Sequence, residues 1–95
     1  MVLILNDLDN VAVALEECKE GEQTTVKTKS GEFYDIQILT DIPYCHKCAL
    51  KDIKKGELII KYGQPIGIAT TDISKGEVVG VHNIEGLRGR GDLKS

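Results

Sequence analysis

The stretch Cys45-His46-Lys47-Cys48 sets an imidazole and an ammonium group between two thiols. Histidine titrates near neutrality, so it can hold or move a proton or ligate a metal. Lysine offers a compact positive charge that pairs with a carboxylate. Further along, His82-Asn83 carries the chain's other histidine, beside an amide able to donate to and accept from hydroxyl groups. Only geometry makes a histidine catalytic, and by composition alone the commoner reading of each histidine is a surface or core residue.

The thiols admit three readings. A C-x-x-C can be part of a zinc or iron–sulfur site, but a complete site would have to recruit Cys18 or His82 from far along the chain. It can be a redox pair, although no βαβ pattern precedes it. Or the two are small packing residues. Arg88-Gly89-Arg90-Gly91-Asp92 contains an R-G-D triplet, for which an adhesion role has little to support it in a cytosolic chain.

The elements that must position these residues are short. Leu3-Ile4-Leu5 reads as a first strand. Asp7 or Asp9 can cap a helix of about three turns through Val11–Glu17, with Gly21 ending it. From there the pattern is β. Thr24–Thr28 and Phe33–Leu39 flank the turn Ser30-Gly31-Glu32 as a hairpin. Leu58–Tyr62, Ile66–Ala69 and Val78–His82 are further strands, with Gly63-Gln64-Pro65 as a turn. One turn is written twice: Asp52-Ile53-Lys54-Lys55-Gly56-Glu57 and Asp72-Ile73-Ser74-Lys75-Gly76-Glu77. Each Asp is expected to bind amides within its own turn, and each Gly to supply a positive φ. Ile53 and Ile73 should point inward, and Glu57 and Glu77 should open the next strand. Lys19-Glu20-Gly21-Glu22 is a weaker third copy. Two equivalent β-units follow, in a mostly β fold with one N-terminal helix.

The bulk properties exclude some functions. Ninety-five residues make one domain. A net charge of −3 and 4% aromatic residues leave neither the basic footprint nor the stacking platforms of a nucleic-acid binder. The apolar run Met1–Leu5 stops at Asn6-Asp7, so it is no signal peptide. No stretch nears the roughly 20 apolar residues that span a bilayer. Three cysteines do not suggest a disulfide framework. A cytoplasmic location is expected, with the thiols reduced.

Taken together, several segments resemble a known family. They are His46-Lys47-Cys48-Ala49-Leu50, Asp52-Ile53, Gly56-Glu57, Ile60-Lys61-Tyr62-Gly63-Gln64-Pro65-Ile66-Gly67, Ala69-Thr70, Asp72-Ile73, Gly76-Glu77 and Val81-His82-Asn83. The string is similar to the SAF-type domain of the altronate and galactarate dehydratases, a family that includes the sulfolactate sulfo-lyase small subunit. Asp9-Asn10-Val11-Ala12 is similar as well. The His-Lys pair carries the resemblance; the flanking cysteines do not.

The resemblance implies a β-clip fold, a small barrel of bent hairpins over residues 1–84. Residues 85–95 would be a flexible or partner-docking tail. It implies a small subunit that eliminates water from an aldonate or aldarate together with a separate large catalytic subunit. A divalent metal (iron, magnesium or manganese) would serve in the complex, with His46 and His82 as candidate ligands. His46 and Lys47 would be catalytic, and His82 and Asn83 would bind substrate. A homo-oligomer is compatible. The alternatives are a non-catalytic sugar-acid-binding or partner-binding module, a sulfo-lyase-type small subunit, and histidines that only hold the barrel or the subunit interface.

Overall fold

The computed structural model describes residues 1–87. They form nine strands: β1 (Val2–Leu3), β2 (Val11–Ala14), β3 (Gln23–Lys27), β4 (Phe33–Gln37), β5 (Lys47–Ala49), β6 (Leu58–Lys61), β7 (Gln64–Ala69), β8 (Val78–Val79) and β9 (Ile84–Gly86). One sheet has the order β4-β3-β1-β2-β5-β8, and a second the order β6-β7-β9. The mostly β class holds. The expected barrel does not, because neither sheet closes on itself. The β3–β4 hairpin forms as read. No helix of the described residues is long and apolar enough to cross a membrane. Of the expected tail, Glu85 and Gly86 lie in β9, and the R-G-D triplet falls outside the described residues.

The expected helix at Val11–Glu17 is instead the central strand β2, followed by exposed Leu15, Glu16 and Glu17. β2 pairs antiparallel with β1 on one side and β5 on the other. Val11, Ala12 and Ala14 are all buried. A strand covered on both faces reads as a continuous apolar run, which periodicity cannot separate from a short buried helix. β-branched Val11 and Val13 favour the extended form.

Asp9 and Asn10 therefore cap no helix; they join the two sheets. Asn10 Nδ2 donates to the Leu58 carbonyl at 2.9 Å, and its Oδ1 accepts from the Ile60 amide at 2.8 Å. The Asp9 carboxylate accepts from the Tyr62 and Gly63 amides at 3.1 and 2.8 Å. Tyr62 and Gly63 have φ of 57° and 71°, as a two-residue hairpin turn of the favoured twist requires. Gln64 and Pro65 thus lie past the turn, in β7. Pro65 sits opposite Ile60 at a register shift and outside the part of β7 that β9 pairs with, where a missing N–H is tolerated.

The doubled turn proves to be fourfold. Lys19–Glu22, Pro43–His46, Lys54–Glu57 and Ser74–Glu77 each close with the last amide donating to the first carbonyl, at 3.1, 3.0, 2.9 and 3.0 Å. The third residue has a positive φ every time: Gly21 89°, Cys45 68°, Gly56 91° and Gly76 90°, the signature of a type II turn. Its amide, and the carbonyl of the fourth residue, dock on the backbone of Ile38, Ala14, Ala69 and Ala49 respectively. Gly76 is pressed closest: a Cβ there would lie 1.9 Å from the Gln37 carbonyl oxygen.

The turns associate in pairs through the bridges Cys18↔Ile42 and Ile53↔Ile73. The aspartates do not cap their own turns as expected. Asp52 accepts from the Lys75 amide and Asp72 from the Lys55 amide, both at 2.9 Å. Asp41 likewise accepts from the Glu20 amide at 2.8 Å. Ile53 and Ile73 are buried as read. Glu22, Glu57 and Glu77 fold back to accept from the amides of Lys19, Lys54 and Ser74, at 2.7, 2.6 and 3.0 Å. The fourth turn has His46 in that place.

Candidate active site

β5 pairs antiparallel with β8, setting Lys47 opposite Val79 and Cys48 opposite Val78. The pairing lays the Pro43–His46 turn alongside the loop that follows β8. Between them runs an open groove of about 370 Å³, lined by residues 45–47, 78–82 and Ile84. His46 and Lys47, far from His82 in the chain, therefore share one surface with it.

His46 is exposed, and its Nδ1 lies 3.2 Å from the Tyr44 carbonyl oxygen. A carbonyl only accepts, so Nδ1 carries the proton in this bond. In the neutral ring, Nε2 is then the free lone pair. His82 is exposed in the turn between β8 and β9. A Cβ on Gly80 would come 3.5 Å from His82 Nδ1, so the ring packs against the Gly80 backbone.

Asn83 takes a different place from its neighbour. It is 1% exposed and does not line the groove. Its Oδ1 accepts from the Gly80 amide and its Nδ2 donates to the Val78 carbonyl, both at 2.9 Å. In this chain Asn83 shapes the turn that presents His82.

Lys47 is half-buried at the groove. Burial, and next the neighbouring Lys61 ammonium, pull its pKa below the ordinary lysine range. Among the described residues no carboxylate forms an ion pair with it. Lys61 itself sits 5.5 Å from the centre of the Tyr62 ring. A desolvated cation facing a second cation is relieved by an anion, whether carboxylate or sulfonate.

The two thiols of the C-x-x-C part company. Cys48 is buried in the core, and its thiol is pushed up to about 12 by burial and, secondarily, by Cys18. It packs, as the sequence suggested. Cys45 is exposed on the groove, where its hydrogen bond raises the Tyr44 phenol. Among the described residues, no group of three or more His, Cys, Asp or Glu side chains could hold a metal ion. The groove offers two imidazoles and no carboxylate, a poor donor set for a hard divalent cation. A complete metal site does not fit this chain alone.

Val81 and the turn that bears His46 were not singled out as functional from the sequence; Cys45 was, as half of the C-x-x-C, but its exposed place on the groove was not foreseen. A signal was present: Asp41-Ile42 repeats the Asp-Ile that opens the two recognised turns. The rest of that copy lacks both Gly and Glu, which hid it.

The altronate/galactarate dehydratase SAF domain family matches residues 1–87. The chain belongs to this family. It is 43% identical over 79 residues to an altronate dehydratase of Escherichia coli, and 44% identical over 75 residues to one of Bacillus subtilis. These matches cover 83% and 79% of the chain but only 15% and 14% of those two enzymes. It is also 30% identical over 88 residues to the (2R)-sulfolactate sulfo-lyase subunit alpha of Chromohalobacter salexigens, covering 90% of the chain and 94% of that subunit. The SAF module thus occurs within long dehydratases and as a subunit of similar length to this chain.

Proposed function

We propose that this chain is the small, SAF-type subunit of a sugar-acid dehydratase, acting in the cytoplasm with a separate large catalytic subunit. One observation carries the reading: His46, Lys47 and His82 line a single groove on a module whose relatives include altronate dehydratases. The sulfo-lyase match, nearly complete along that subunit, supports work as a separate small chain.

The reaction removes a proton from the carbon next to a carboxylate and a hydroxyl from the next carbon. Water leaves, and the enol left behind becomes a 2-keto-3-deoxy acid. Lys47 pairs with the substrate carboxylate and offsets the charge that builds on it as the proton departs. His46, with Nε2 free, is the better base. His82 lies across the groove, suited to protonating the departing hydroxyl. Any divalent metal in the complex takes most of its ligands from the large subunit.

The test is turnover of a panel of aldonates and aldarates by this chain alone, by the large subunit alone, and by the two mixed. Product only in the mixture, reduced about 100-fold or more by His46→Ala with assembly intact, is the expected result. A stable complex that stays silent, with a sugar acid bound by the chain alone, would make this a binding module. A second reading, a sulfo-lyase-type small subunit, is favoured by the length match and by the anion-seeking Lys47; a sulfonated hydroxy acid belongs in the panel for that reason.

A further inference from the structure

We propose that Pro43 is a positioning residue that fixes the tautomer of His46. The inference rests on the reading above only in giving His46 its reactive role; the geometry stands apart from it.

The three sibling turns show what the fourth residue normally does. Glu22, Glu57 and Glu77 each fold back onto the amide of the turn's first residue. In the fourth turn the first residue is Pro43, which has no amide hydrogen. The clamp cannot form. Nothing draws the side chain at position 46 back onto residue 43, and the imidazole instead reaches the Tyr44 carbonyl through Nδ1.

Direction of hydrogen bonding then decides the chemistry. Facing a carbonyl, Nδ1 must donate, which leaves Nε2 as acceptor. Were residue 43 to carry an amide hydrogen, the imidazole could fold back as the glutamates do and accept through Nδ1. The proton would move to Nε2, and the free nitrogen would change from acceptor to donor. Pro43 removes that alternative. The turn's backbone is retained: it closes at 3.0 Å, and both docking bonds to Ala14 are made, at 2.9 Å. Besides the missing clamp, this turn has Cys45 where its siblings have glycine, and among the described residues no carboxylate accepts from its second amide as Asp41, Asp72 and Asp52 do at the others; it is the one turn of the four that lines the groove.

The test is long-range proton–nitrogen NMR of the ¹⁵N-labelled chain at a pH where imidazole is neutral, with His82 as the internal comparison. The native chain should show His46 protonated at Nδ1. Pro43→Ser, which supplies the residue found at the equivalent position 74, should shift the His46 population toward Nε2–H and leave His82 unchanged. A native chain with Nε2–H at His46, or a Pro43→Ser chain with an unmoved tautomer, overturns the proposal. If Pro43→Ser loses the fold, the double variant Pro43→Ser/His46→Glu decides. It rebuilds the sibling clamp and should melt at a higher temperature than either single variant; failure to do so also overturns the proposal. These measurements do not depend on turnover, so a failed dehydratase assay leaves them standing. In the active assembly, Pro43→Ser should lower kcat, leave KM unchanged and shift the pH–rate profile.

Discussion

The two cysteines of one short motif should behave as different reagents. Iodoacetamide at mildly alkaline pH should modify Cys45 within minutes and leave Cys48 unmodified until the chain unfolds, because burial holds the Cys48 thiol up to about 12. Peptide mass spectrometry reads this directly. Lys47 makes the opposite trade. Its folded pKa lies below its unfolded one, so its charge weakens the fold at every pH below the folded value. That penalty fades as pH rises toward the unfolded value. Lys47→Met should therefore stabilise the free chain, by about 0.5 kcal/mol after solvent screening, and abolish anion binding in the groove. Thermal melts with and without a sugar acid test both halves. Glycines of equal φ should differ in worth. Gly56→Ala meets open space and should cost about 1–2 kcal/mol for its left-handed backbone alone. Gly76→Ala drives a methyl into the Gln37 carbonyl and should cost about 3 kcal/mol or more. Denaturant melts of the pair separate the two effects.

Among the elements, Asn10 is the joint between sheets. Asn10→Ala leaves the Leu58 carbonyl and the Ile60 amide without partners and should cost about 2–3 kcal/mol. Hydrogen exchange should rise first in β6 and β7, ahead of β3 and β4. This joint also shows what the sequence could and could not tell. The β3–β4 hairpin was legible because alternation and a Gly turn are local signals. The role of β2 was not, because its two faces are buried by residues far along the chain: Ala12 and Ala14 pack in one core cluster with Ile36 and Ile38, and Val11 packs in the other with Ile53 and Ile59. Asp9 and Asn10 looked like helix caps since their side chains do bind free amides. Those amides belong to residues about fifty positions away. The doubled turn was visible through its Gly and Glu. Its crossed aspartates were not, since an Asp that caps a partner looks the same as one that caps itself. His46, Lys47 and His82 were legible as candidates by residue type and resemblance, and the structure brings the three to one groove. Asn83 was legible as an important residue, while its inward orientation was set by the turn it closes.

At the scale of the whole molecule, the groove is open to water on this chain, and water weakens every charge interaction that the proposed elimination would need. A large subunit closing over it would supply the missing wall. Assembly should then slow alkylation of Cys45 at least about tenfold, in step with turnover across a titration of the large subunit. Val81, fully exposed at the groove, should be covered in the same event. Full reactivity of Cys45 in an active complex would place the reaction elsewhere on the assembly.

The fourfold turn has a consequence for how such a site can arise and be moved. Each turn docks on its strand through two backbone bonds, and these do not depend on which side chain its fourth position displays. Three copies carry a glutamate that tightens the turn; the fourth carries His46 in that place. A module built this way is a set of interchangeable sockets. Placing proline at 54 and histidine at 57 should seat a second imidazole in the same pose on the opposite pair, a graft that asks nothing new of the backbone.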